Sequence, residues 1–292
     1  MATRSEMIKG LIPLVVGILV IIVVTVAVPT AVKYIGKASG EPANLVYNYE
    51  GILGAMPTPW RNLAQGGEEA KDMVANVIPE VKTLKPEYIR IDHIYDAYNV
   101  VSGTSGNLSY NWTSLDKAVD SILATGAKPF LSLSYMPAAI AQGDMVSQPR
   151  NWNDWGEVVA TTIKHFSGRE QRNIAGVIYE VWNEPDLFGK YKTYGDINYL
   201  NMYQASAKAA MGVTNVNDFE IGGPATTGLY QNWLETLIKY VDKNNLRMDF
   251  VSWHRYTTDL EQYEKDVKQA RKWAENIPAL TNLKYYVTEW GF

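Results

Sequence analysis

From residue 88 to residue 290 the chain alternates short apolar runs with amphipathic stretches, and this alternation limits the fold more than any other feature. The runs are YIRID (88–92), PFLSLSY (129–135), VIYEVWN (177–183), FEIGG (219–223), DFVSW (249–253) and YYVTEW (285–290), with a further strand expected at 46–54. Between them lie helical patterns. Residues 115–123 space Leu115, Ala118, Val119, Ile122 and Leu123 at helical intervals, with Thr113 or Ser114 as cap and Gly126 as stop. Residues 230–241 repeat the pattern with Tyr230, Trp233, Leu234, Leu237, Ile238 and Val241. Further helices fit 68–84, kinked at Pro79, and 152–166, 197–211 and 260–274. Strand and helix in strict turn argue for a parallel sheet with helical crossovers. The runs are continuously apolar rather than alternating, as strands buried on both faces are.

The residues after Lys37 number about 255, close to the ~250 of a β/α barrel, which is the predicted fold. An open doubly wound sheet is the alternative. It usually carries a glycine-rich phosphate loop after an early strand, and neither Gly66-Gly67 nor Gly222-Gly223 builds a GxGxxG or GxxxxGK[ST] pattern.

The stretch from Gly10 to Val32 is a second constraint: 23 residues without a charge, where a membrane span needs about 20. It is longer than the core of a secretory signal and lacks a clean small-x-small cleavage site. The expectation is an uncleaved single-pass anchor at 10–32, after a cytoplasmic tail at 1–9 and before a linker at 33–45 and a barrel at 46–292. Arg4 and Lys9 before the span balance Lys33 and Lys37 after it. An extracytoplasmic domain is expected from function alone.

Composition excludes several classes. With 27 basic and 31 acidic residues and no long basic stretch, a nucleic-acid partner is not expected. There is no Cys, hence no disulfide, zinc-thiolate site or Cys nucleophile. HExxH and GxSxG are absent, so neither a zincin-type metal site nor a serine elbow is expected; no metal and no other cofactor is predicted.

In a β/α barrel the chemistry sits at the carboxyl ends of the strands. Here those ends read Arg90-Ile91-Asp92-His93, Ser134-Tyr135, Trp182-Asn183-Glu184-Pro185, Trp253-His254-Arg255-Tyr256 and Thr288-Glu289-Trp290. A rim of carboxylates, amides and aromatics suits a polar, uncharged, ring-shaped ligand. Cleavage of a glycosidic bond with retention needs two carboxyls about 5–5.5 Å apart. Glu180 and Glu184 lie roughly 13 Å apart along one strand, so the partner of Glu184 must come from another strand end, and Glu289 is best placed. Glu180 is read instead as a structural residue that points into the barrel and pairs with Arg90 or another donor. Asn183 can hydrogen-bond a sugar hydroxyl, His254 and Tyr256 can hold the nucleophile, and Trp182 and Trp290 offer flat faces to a sugar. His165 is read as structural. Asp92 and His93 together make a weak metal site, because neighbours in a strand face opposite ways.

YEVWNEPDL (179–187) and YVTEWGF (286–292), with LDKAVDSILATGAKPFLSLSYMP (115–137), IGGPA (221–225) and DFVSWHRY (249–256) in the same order, resemble glycoside hydrolase family 39, which includes β-xylosidases and α-L-iduronidases. The resemblance covers about residues 80–292. It implies a retaining glycosidase with Glu184 as acid/base and Glu289 as nucleophile, and with Asn183, His254 and Tyr256 at supporting positions. From the strand ends themselves, an oligo- or polysaccharide substrate is expected to be contacted by Arg90, Asp92, His93, Tyr135, Trp182 and Trp290. Two departures stand out. The family's Arg-x-His-Gly is here Arg90-Ile91-Asp92-His93, with the His one position later. Phe292 follows the nucleophile motif directly, so seven strands are expected, one fewer than a closed barrel. The alternatives are an endo-acting hydrolase of a matrix or cell-surface polysaccharide, and a non-catalytic carbohydrate-binding barrel.

Overall fold

The computed structural model divides into two units, Met1–Pro57 and Thr58–Phe292. It describes residue 54 and residues 58–65, 72–275, 277, 280 and 282–292. The stretch 10–32 lies outside the described residues, among which no helix is long and apolar enough to cross a membrane.

Within the second unit the elements run β1 (Asn62–Gln65), α1 (Ile78–Thr83), β2 (Tyr88–Ile91), β3 (Val101–Thr104), β4 (Asn107–Tyr110), α2 (Thr113–Ala124), β5 (Lys128–Leu133), α3 (Trp152–Ser167), β6 (Val177–Val181), α4 (Tyr199–Gly212), β7 (Phe219–Thr226), α5 (Gln231–Lys243), β8 (Phe250–Tyr256), α6 (Leu260–Ala274) and β9 (Lys284–Gly291). Seven strands form one sheet in the order β1-β2-β5-β6-β7-β8-β9, every neighbouring pair parallel. This is the α/β barrel-like sheet that alternating runs and helices predict. Among the described residues β1 and β9 are not paired, so the sheet has two open edges where a closed barrel of this kind has eight strands.

Several local expectations change. The strand beside β2 is Asn62–Gln65; the run expected at 46–54 lies outside the described residues except for Gly54, a bend. Pro79 does not kink a helix: it stands in the first turn of α1, where its missing N–H costs nothing. Neither Thr113 nor Ser114 caps α2. Its N-cap is Trp112, without a side-chain bond, and Asn111 Oδ1 accepts from Thr113 N. Gly126 does follow α2 with φ +90, a conformation that suits glycine. The β3–β4 hairpin was not foreseen. Thr104 pairs with Asn107, leaving the two-residue loop Ser105–Gly106, a Ser-Gly turn signal with positive φ at Gly106.

Alternation along the strands creates two cores. The main one lies between sheet and helices and includes Trp155, Phe166, Tyr199, Leu237 and Trp253. A smaller one holds Phe130, Ile178 and Phe250, with Tyr88 and Tyr286 packed on it. These five come from five strands, and the residues two further along three of them are Arg90, Ser132 and Glu180. An apolar floor is thus followed by a polar layer, and the site is built above it. Gly222 allows β7 and β8 to approach: a Cβ there would lie 2.2 Å from the Phe250 carbonyl oxygen.

Candidate active site

The end of β6 supplies Trp182, Asn183 and Glu184. Trp182 and Glu184 adopt positive φ, 73 and 47 degrees, a conformation that costs a non-glycine residue energy and often marks a functional turn. Neighbouring groups hold it: Ser132 Oγ donates to the Trp182 carbonyl at 2.9 Å, Tyr135 Oη to the Asn183 carbonyl at 3.2 Å, and Glu184 N to the Ala225 carbonyl at 2.9 Å. Ala225 can accept because β7 is irregular between Pro224 and Thr226, which pair with Ser252 and Trp253.

The end of β9 supplies Glu289, and a bulge aims it. Trp253 pairs with Val287, but the next residue, His254, pairs with Glu289. The extra residue on β9 is Thr288, and such an insertion re-aims the side chains beyond it. Glu289 thereby faces the interior beside His254.

The two glutamates converge. One carboxylate oxygen of Glu184, one of Glu289 and a His254 ring nitrogen lie within 4.8 Å of one another. His254, wholly buried, places Nδ1 2.8 Å from Glu184 Oε1 and 3.4 Å from Glu289 Oε2. It therefore bridges the pair: it reaches Glu289, which it is expected to hold, but lies closer to Glu184. Both oxygens of Glu289 are also held from other sides: Tyr256 Oη donates to Oε2 at 3.0 Å and Arg90 Nη1 to Oε1 at 2.9 Å. The three clustered groups have the makeup of a cation site, but the Arg90 guanidinium already stands against Glu289.

Arg90 is buried at the centre. Nε donates to Glu180 Oε2 at 2.8 Å and Nη2 to Asn183 Oδ1 at 2.7 Å, while Asp92 Oδ2 lies 3.7 Å from Nη1. Burial alone would lower the guanidinium's pKa, but the carboxylates of Glu180, Asp92 and Glu289 hold it above its ordinary value. Asn183 Nδ2 donates to Tyr135 Oη at 3.0 Å. Burial, partly opposed by that bond, raises the Tyr135 pKa, so its hydroxyl stays protonated.

A cavity of about 1790 Å³ opens beside this cluster and is lined by Arg90, Asp92, His93, Tyr135, Asn183, Glu184, Tyr256, Glu289 and Trp290, among others. Asp92 and His93 both reach it although they are adjacent, because β2 ends at Ile91 and His93 turns at φ 52. Trp182 does not reach it. Its ring is fully buried, edge-on to Tyr135, Trp155 and Tyr191, and its Nε1 donates to the Phe188 carbonyl. It offers no face to a sugar and acts as core. Trp290 lines the cavity, packs edge-on to Tyr263 of α6 and remains largely exposed. One residue went unforeseen: Asp96 accepts from Tyr135 N at 2.8 Å and lies 2.8 Å from His93 Nδ1. The His93 contact is local, three residues along the same loop, but the Tyr135 contact forms only where that loop returns to β5.

Fold and site together define a parallel α/β barrel protein with two carboxylates converging at the strand ends. A family model described as glycosyl hydrolases family 39 matches residues 62–290, and the chain belongs to that family. Among curated proteins it is 32% identical over 158 residues to a β-xylosidase of Geobacillus stearothermophilus, covering 51% of this chain and 31% of the relative. It is 30% identical over 206 residues to a β-xylosidase of Caldicellulosiruptor saccharolyticus, covering 64% and 41%. Among solved structures it resembles a monomeric β-xylosidase from Caulobacter crescentus with a TM-score of 0.67 and 26% identity, over 78% of this chain and 51% of that one. A family 39 enzyme from Xanthomonas axonopodis pv. citri gives 0.66 and 25%, over 78% and 50%. The chain thus spans less than half the length of these curated relatives and about half that of the solved ones.

Proposed function

We propose that this chain carries the catalytic site of a retaining glycoside hydrolase acting on β-xylosides, with Glu289 as nucleophile and Glu184 as acid/base. The observation that carries the reading is the convergence of the two carboxylates: oxygens of Glu184 and Glu289 within 4.8 Å match the ~5–5.5 Å separation of retaining pairs and fall short of the ~6.5–9.5 Å that leaves room for an inverting water. The β-xylosidase names of the relatives support the substrate class.

The chemistry follows from the contacts. Tyr256 and Arg90 hold the two oxygens of Glu289, which fixes the carboxylate for attack on the anomeric carbon. Glu184 protonates the departing oxygen as the glycosyl–Glu289 ester forms. Then Glu184, as base, takes a proton from water that attacks the same carbon and releases Glu289. Asn183, oriented by Arg90 and Tyr135, is placed to bind a sugar hydroxyl. Glu184→Gln and Glu289→Gln should each abolish turnover of an aryl β-xyloside, and the wild-type product should first appear as the β-anomer by proton NMR. Wild-type rates in either variant, or an α-product, would sink the reading. The charge-free run 10–32 supports attachment to a membrane, and the proposed action on a saccharide puts the barrel outside the cytoplasm; release by alkaline carbonate washing would refute the anchor, and resistance of the barrel to protease on intact cells would refute its side.

A further inference from the structure

We propose that Glu180 is a positioning residue for the nucleophile, acting through Arg90 to fix the Glu289 carboxylate; the proposal rests on the reading of Glu289 given above. Glu180 is wholly buried on β6 and is not part of the cavity wall, so it does not meet a substrate there. Its Oε2 accepts from Arg90 Nε and also lies 2.8 Å from Nη2. The same guanidinium reaches Glu289 through Nη1 and Asn183 through Nη2.

A guanidinium is planar and turns as one body. Glu180 grips the Nε edge, so the rotation about the end of the Arg90 stem is fixed and Nη1 has one direction left, toward Glu289. Without that grip the fork can turn and follow Asp92, whose Oδ2 already lies 3.7 Å from Nη1. Charge works in the same direction. Glu180 and Asp92 share the field of Arg90 with Glu289, which moderates the pull of the cation on the attacking oxygen. Glu180 is also a costly way to fill space. Its Oε1 is buried without a hydrogen-bond partner among the described residues, and an unsatisfied buried carboxylate oxygen is normally avoided. What the arrangement does achieve is an arginine that cannot turn away from the nucleophile.

The test uses the whole chain and an activated 2-deoxy-2-fluoro-β-xyloside, which traps the nucleophile covalently. The trapping rate constant reports only reacting sites, so it does not depend on how much of a variant is folded. Glu180→Gln keeps the shape but loses the charge-assisted bond, and should trap at least about 10-fold more slowly while KM for an aryl xyloside stays within about 3-fold. Glu180→Asp keeps the charge on a shorter stem and should fall between Gln and wild type. A wild-type trapping rate in Glu180→Gln, or a loss confined to KM or thermal stability, would overturn the proposal. If Glu180→Gln does not fold, Glu180→Asp decides: slower trapping supports the role and an unchanged rate overturns it. Absence of the label from Glu289 in the wild type would instead mark failure of the nucleophile assignment itself.

Discussion

At Glu289 the two carboxylate oxygens are held by donors of different kinds, and this divides the work between a cation and a phenol. Arg90 is buried and charged; Tyr256 reaches Oε2 from an exposed position on β8. Partial burial, and then the charge of Glu289, push the Tyr256 pKa up to about 12. The raised value favours the neutral phenol, so Tyr256 remains a donor throughout the neutral range. Tyr256→Phe removes a hydrogen bond to a charged group, worth about 1.5–3 kcal/mol, and should lower kcat/KM by about 10- to 100-fold. The alkaline limb of the pH–rate profile should keep its position in the variant, because phenol ionisation does not set it. A shifted limb would show that Tyr256 titrates in the working range.

Among the elements, β7 shows how a strand can serve its neighbours more than its own side chains. FEIGGPAT contributes no group to the cavity wall, yet its irregular end offers the Ala225 carbonyl to Glu184 N, and Gly222 lets β8 come close. Gly222→Ala would place a methyl group 2.2 Å from the Phe250 carbonyl oxygen. The obstacle is backbone, which cannot rotate aside, so the strands must separate at a cost of about 1–3 kcal/mol. Urea unfolding should show that loss. Activity should fall more than stability alone predicts, because β8 carries His254 four residues further on. A variant as stable and active as wild type would mean that the sheet absorbs the methyl group elsewhere. The IGGPA stretch was legible as a motif, but its role was not: nothing in five residues says which neighbouring backbone they must admit.

For the whole molecule, the sheet curls so far that one cavity is lined by β1 at 62–65 and by β9 at 285–290, although among the described residues these two strands do not pair. The site therefore depends on curvature carried through seven strands. A ligand that binds only the folded sheet stabilises all of it: a xylose-type inhibitor at 100 times its Kd should add about 2.7 kcal/mol and raise Tm by several degrees, since about 1 kcal/mol moves a domain of 150–250 residues by about 2–4 °C. Differential scanning calorimetry checks this. No shift at saturation would mean that the inhibitor does not select the folded site.

The sequence by itself determined the alternation of strand and helix, the parallel sheet, and the strand ends at which Glu184 and Glu289 stand, because burial on two faces and the 3.6-residue period are written locally. It also indicated that Glu180 needs a donor, Arg90 or another, since a buried charge requires a partner, and the structure supplies Arg90. Only the tertiary structure decided which way those strand ends point. Trp182, read as a sugar platform, turns into the core because its backbone adopts a left-handed conformation at the end of β6. Glu289 faces His254 because one extra residue on β9 shifts its register against β8. Asp96, three residues after His93 in the same loop, meets Tyr135 across a loop closure. Each of these outcomes depends on a register or a long-range contact, and a side chain in a strand changes face with a shift of one residue, so composition and periodicity along the chain could not fix it.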